Sequence, residues 1–244
     1  MSPPGRPKGE YRSAQHEGTP VTATRQAIRA VLFDLDGTLI DSAPDLAGAA
    51  NDMRMARGLA PYPLAHFRPM VGSGARGMVG RAFDVAPPAP EFAPLRDEFL
   101  QRYEARMTQE TRVFPELLPV LEALVAQAVP WGIVTNKATR FSQPLVAALG
   151  LHTQSATLVC GDTTPHSKPH PEPLLEAARQ LALAPARCVY VGDDHRDVLA
   201  GRAAGMAALA AGWGYLGNGH SVHDWGAEAV LAQPDELLNW LALA

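Results

Sequence analysis

Two aspartates stand one residue apart in VLFDLDGTLIDS, residues 31–42: Asp34 and Asp36, with Leu35 between them. They close an apolar run, and a buried strand rarely ends in paired negative charge without something positive to receive it. Three more polar clusters follow. Thr135-Asn136-Lys137 closes the run that begins at Trp131, Ser167-Lys168-Pro169-His170 precedes Pro171, and Asp193-Asp194-His195-Arg196-Asp197 follows CVYVG. Alone, an Asp-x-Asp is most simply a turn or a helix cap, and a lysine before a proline is a solvated loop charge. Carboxylates, a lysine and hydroxyl and amide donors become one chemical set only if the fold gathers them.

The elements that must do so are legible as pattern. Short apolar runs recur at 28–33, 131–135, 156–160, 188–192, 206–210 and 228–232. They lack strict alternation, as parallel strands covered on both faces do. Helical patterns separate them: 116–128 with Leu117, Val120, Leu121, Leu124 and Val125 on one stripe, 171–183 opening on a proline, 197–205 ending at Gly205, and the closing stretch 234–244. Strands alternating with helices predict an α/β fold, a doubly wound parallel sheet, and the polar clusters then meet at its carboxyl edge. Residues 43–112 break the alternation with helical patterns only, at 44–58, 72–83 and 94–107. They predict a small helical cap inserted into a core of residues 28–42 and 113–244, standing over the edge where such sheets bind ligands. Residues 1–27 are polar and rich in Pro, Gly, Ser and Thr, the composition of a disordered tail.

The chain has 244 residues, 47% of them hydrophobic, and a net charge of −4. That suffices for a buried core and offers no basic cluster for nucleic acid. No apolar run reaches the roughly 20 residues that span a bilayer. Cys160 and Cys188 read as small buried thiols at strand positions in a reducing compartment, so a cytoplasmic protein is expected, as monomer or homodimer.

From Ile28 to the C-terminus the chain resembles the haloacid dehalogenase-superfamily phosphatases with an inserted helical cap. The resemblance rests on DLDGT (34–38), VTN (134–136), SKPHPEP (167–173) and GDDHRD (192–197), in that order. Within the superfamily it is similar to phosphoglycolate phosphatases, and VTNKATRF, SKPHPEPL and GWGYL also look like N-acetylmuramic acid 6-phosphate phosphatases. The resemblance implies Mg²⁺ held by Asp34, Asp193 and the backbone carbonyl of Asp36, since a hard cation prefers oxygen. It implies Asp34 as nucleophile and Asp36 as general acid and base, starting protonated in surroundings that raise its pKa. Thr135, the Asn136 amide and Lys168 would hold the transferring phosphoryl group. Asp194 and Asp197 would stand behind the ligands, orienting the metal site or binding Lys168. The substrate would be a small phosphorylated metabolite, with 2-phosphoglycolate leading and N-acetylmuramic acid 6-phosphate as the alternative.

Other classes remain open to test: a sugar phosphomutase using the same two aspartates, and a non-enzymatic phosphoacceptor or binding module, which would lack the cap and the general acid. GSGARG (72–77) lacks the preceding strand and Gly-Lys-Ser/Thr ending of a phosphate loop. It is expected to face the core site, with Arg76 meeting a substrate carboxylate. His166, His170 and His195 follow no zinc spacing and read as polar loop residues.

Overall fold

The computed structural model describes residues 28–217 and 219–243; the expected disordered tail falls outside them. Among the described residues eight strands form two sheets. The larger contains β1 (Ala30–Phe33), β4 (Trp131–Val134), β5 (Leu158–Val159), β6 (Cys188–Gly192), β7 (Ala207–Ala211) and β8 (Ala229–Leu231). Their order is β5-β4-β1-β6-β7-β8, and every neighbouring pair is parallel. Strand order reverses at β1, which pairs with β4 on one side and β6 on the other. The crevice beyond the carboxyl ends of β1 and β6 is therefore a topological switch point.

Helices cover both faces, as the continuous apolar strands require. Val31 and Phe33 share one apolar layer with Val120 and Leu124 of α5 (Leu118–Ala126) and Leu237 of α9 (Glu236–Trp240). Ala30 and Leu32 face the opposite layer, with Leu174 and Ala177 of α7 (Glu172–Gln180) and Ala200 of α8 (His195–Ala203). The doubly wound parallel sheet expected from the sequence is the fold the chain adopts. Two elements differ from expectation. Thr139–Ala148 forms α6 despite Pro144 inside it; a proline signals a break, but buried Phe141, Leu145 and Val146 anchor the helix. The closing helix is shorter than the expected 234–244.

Between β1 and β4 the chain leaves and re-enters the sheet through a small antiparallel ribbon, β2 (Ile40–Asp41) and β3 (Arg112–Val113), pairing Ile40 with Val113. Two-residue strands carry too little pattern to be read from sequence. From the ribbon rise α1 (Ala43–Met55), α2 (Leu64–Phe67), a 3₁₀ turn (Arg68–Ser73), α3 (Gly74–Phe83) and α4 (Phe92–Arg106). Asp45, fully buried, ties the start of this layer to its end by accepting from the Glu110 amide at 3.0 Å and from the Thr111 amide and hydroxyl at 2.9 and 2.8 Å. Arg106 lies across α1 to reach Asp52 at 2.8 Å, over Gly48, where a Cβ would meet its guanidinium at 2.1 Å.

Candidate active site

The register of β1 aligns Phe33 with Val191 and Ile133, so the next residue, Asp34, emerges between the ends of β4 and β6. Its Oδ1 lies 2.8 Å from Lys168 Nζ. The ammonium also meets Asp197 Oδ1 at 2.8 Å, Tyr190 Oη at 2.7 Å and the Val134 carbonyl at 3.0 Å. Burial works against the Lys168 charge, but Asp197 and Asp34 outweigh it and the pKa rises. The lysine is placed by its own backbone: the Asn136 side chain accepts from the Lys168 amide and donates to its carbonyl, both at 2.9 Å.

Asp193 follows β6 and is almost fully buried. Its Oδ1 accepts from the Thr38 hydroxyl at 3.0 Å and its Oδ2 from the Tyr215 amide at 2.8 Å. Gly37 (φ 87°) and Gly214 let the backbone close around it; a Cβ on either would meet Asp193 atoms at 2.2 or 2.1 Å. One carboxylate oxygen each from Asp34, Asp193 and Asp197 lies within 4.8 Å of the others. Burial, opposed by Lys168, lifts the Asp34 pKa to about 7. Burial and then the charges of Asp34 and Asp197 push Asp193 well above the usual carboxylate range. Three converging acids served by one lysine are short of positive charge, and their donors are all oxygen; that set fits a hard divalent cation.

Asp197 and Asp194, which the sequence left unranked, have separate tasks. Asp197 joins Lys168 and accepts from the Asp194 amide at 3.0 Å. Asp194 caps α8 and grips Arg196 through Nε and Nη2 at 2.8 Å each; burial pushes its pKa up, but Arg196 more than reverses this. Arg196 in turn donates to the Gly72 carbonyl of the helical layer.

Asp36 stands among polar partners. The Lys137 ammonium bridges both its oxygens at 2.9 and 3.0 Å, and the Ser42 hydroxyl donates to one of them. Lys137 also lies 4.8 Å from the Tyr103 ring centre. Sequence reading assigned no role to Lys137, Tyr190 or Tyr215; adjacency to Thr135-Asn136 was the one available signal for the first.

A cavity of about 250 Å³ joins these groups. Asp34, Asp36, Thr135, Asn136, Lys168, Asp193, Asp194 and Asp197 line its floor, while Leu46, Val71, Phe99, Leu100 and Phe141 make an apolar wall above. Gly72, Gly74 and Ala75 also line it, as expected for that loop, but Arg76 does not. It is exposed and belongs to a separate groove with His66, Arg81 and Asp84, because α3 turns the side chain after Ala75 away from the cavity. The expected meeting of Arg76 with a substrate at this site is therefore not supported by its position.

An acidic, lysine-paired centre at the switch point of a doubly wound sheet, with helical residues lining the cavity over it, defines an α/β enzyme. The profile of the haloacid dehalogenase-like hydrolases matches residues 28–205. The N-acetylmuramic acid 6-phosphate phosphatase of Pseudomonas aeruginosa is 42% identical over 217 residues, 89% of this chain and 96% of that protein. The phosphoglycolate phosphatase of Xanthomonas campestris pv. campestris is 46% identical over 209 residues, 86% of this chain and 94% of that one. The crystal structure of a predicted phosphoglycolate phosphatase from Haemophilus somnus superposes with a TM-score of 0.76 at 28% identity, covering 86% of this chain and 97% of that one. The chain belongs to the haloacid dehalogenase-like hydrolases, and it is a phosphoric monoester hydrolase among them. Among the described residues no helix is long and apolar enough to cross a membrane.

Proposed function

We propose that the protein is a Mg²⁺-dependent phosphatase for a small phosphorylated metabolite, acting through an aspartyl-phosphate on Asp34. The observation that supports this best is the Asp34–Lys168 contact of 2.8 Å beside the converging carboxylates of Asp193 and Asp197. Asp34, Asp193 and the Asp36 carbonyl would hold the cation, which when bound supplies the positive charge that lets an anionic ester approach an anionic nucleophile. Asp34 attacks phosphorus while the bond to the leaving oxygen breaks, and Asp36 gives that oxygen its proton. Asp36 then takes a proton from the water that attacks the phosphorylated Asp34, releasing phosphate and the free carboxylate. Lys137, 2.9 and 3.0 Å from the two Asp36 oxygens, holds that carboxyl in position for both steps. Lys168, the Thr135 hydroxyl and the Asn136 amide stabilise charge on the transferring group.

The helical layer of residues 43–112 acts as a cap that reads the rest of the substrate. 2-Phosphoglycolate is the leading candidate, on the similarity to the phosphoglycolate phosphatases. A second reading, N-acetylmuramic acid 6-phosphate, is favoured by the apolar wall of the cavity, which suits the methyl groups of a larger ester. A cytoplasmic enzyme fits either substrate. Ranking both esters by kcat/KM, with and without Mg²⁺, tests the proposal. Asp34→Asn is expected to lose at least about a thousandfold in kcat while staying folded. Turnover independent of Mg²⁺, or a fully active Asp34→Asn, would refute it.

A further inference from the structure

On the loop that presents Lys168, His166 and His170 stack their rings, with centroids 4.4 Å apart and planes 29° from parallel. Glu172, at the start of α7, turns its carboxylate to both: Oε2 lies 2.7 Å from His166 Nδ1 and 3.8 Å from His170 Nδ1. A potential ligand atom from each of the three lies within 4.8 Å of the others. Pro165, Pro169 and Pro171 punctuate the loop, and each fixes a backbone dihedral, so binding would order little that is not ordered already. Linear spacing concealed the group. Zinc signatures count residues along helices and knuckles, whereas here a proline-rich loop folds two histidines onto the first residue of the next helix.

We propose that His166, His170 and Glu172 form a second metal site, for a borderline divalent transition ion of the Zn²⁺ type, apart from the carboxylate centre. Two imidazole nitrogens and one carboxylate oxygen are the donors such an ion takes, while Mg²⁺ prefers oxygen alone. The two sites thus sort their ions by ligand softness. Metal–ligand distances of about 2.0–2.2 Å require the three side chains to draw in. They are 63%, 50% and 34% exposed, so rotation in solvent suffices. On binding, the His166–Glu172 hydrogen bond is replaced by metal bonds and the imidazoles bind neutral, which makes the affinity pH-dependent. Water completes the coordination. The ligands bracket Lys168, two residues before it and two and four after, so the ion staples both ends of the segment that carries the lysine to Asp34.

The test is calorimetric titration of the full chain with ZnCl₂ under excess MgCl₂, comparing wild type, the His166→Gln/His170→Gln double variant and Asp34→Asn. Wild type and Asp34→Asn are expected to share a Zn²⁺ equivalent that weakens at least about 100-fold in the double variant. Because all the substituted histidine positions are exposed, a folding defect is not expected; nitrogen-detected NMR of the wild-type imidazoles gives a readout free of any variant, with His166 and His170 shifting on Zn²⁺ addition. Equal Zn²⁺ uptake by wild type and the double variant, or unmoved His166 and His170 resonances, would overturn the proposal.

Discussion

The Lys168 ammonium has three protons and four oxygen neighbours, two of them carboxylates. It is only 2% exposed. Replacing it by methionine keeps the volume and leaves Asp34 and Asp197 facing each other without a cation. Breaking a buried pair in this way costs about 3–5 kcal/mol. The urea midpoint of Lys168→Met, measured without Mg²⁺, is therefore expected to fall well below that of wild type; an unchanged midpoint would show that the lysine does not balance this charge. The motifs singled out Lys168, Asp34 and Asp193 as candidates, and the fold brings them together. The Asn136 clasp on the Lys168 backbone and the Lys137 bridge to Asp36 were not legible in the sequence, because both depend on loops from different strands meeting edge to edge.

The ribbon β2/β3 and the loop after β7 meet at Tyr215. Its hydroxyl accepts from the Ser42 and Ala43 amides at 2.8 and 3.1 Å and donates to Asp41 at 2.9 Å, while its own amide holds Asp193. Ser42 in turn touches Asp36, so one residue, through its hydroxyl and its amide, ties the root of the helical layer to two carboxylates of the candidate site. Tyr215→Phe keeps the amide contact and loses the hydroxyl's three. If the tie positions Asp36, kcat/KM should fall about tenfold for alkyl phosphates, whose leaving oxygen needs a proton, and little for aryl phosphates, which leave readily. Ser42→Ala should give the same split. A proportional fall for both substrate types would mean that Tyr215 merely supports the fold. The sequence showed GWGYL as a resemblance; the task of its tyrosine appeared only when the loop was seen against the ribbon.

At the scale of the molecule, the helical layer and the sheet enclose a centre where negative charge is buried in excess. The Asp34 pKa of about 7 in the metal-free fold exceeds the unfolded carboxylate value of about 3.9, and Asp193 is shifted the same way. A raised folded pKa means stability that is present below the unfolded value and lost as pH climbs through the folded one. The Mg²⁺ proposed for this site would bind the ionised carboxylates and cancel that loss. The gain in Tm on adding Mg²⁺ should thus be larger near about pH 8 than near about pH 5; an equal gain at both would sever the link between these acids and the ion. By itself the sequence determined the alternation of strand and helix, the insertion after the first strand and the four polar clusters, because apolar period and strand-end motifs are local properties of the chain. Only the tertiary structure decided which charges pair, that Arg76 lies outside the cavity, and that His166, His170 and Glu172 converge, because direction and distance between distant loops are set by packing and leave no period to read.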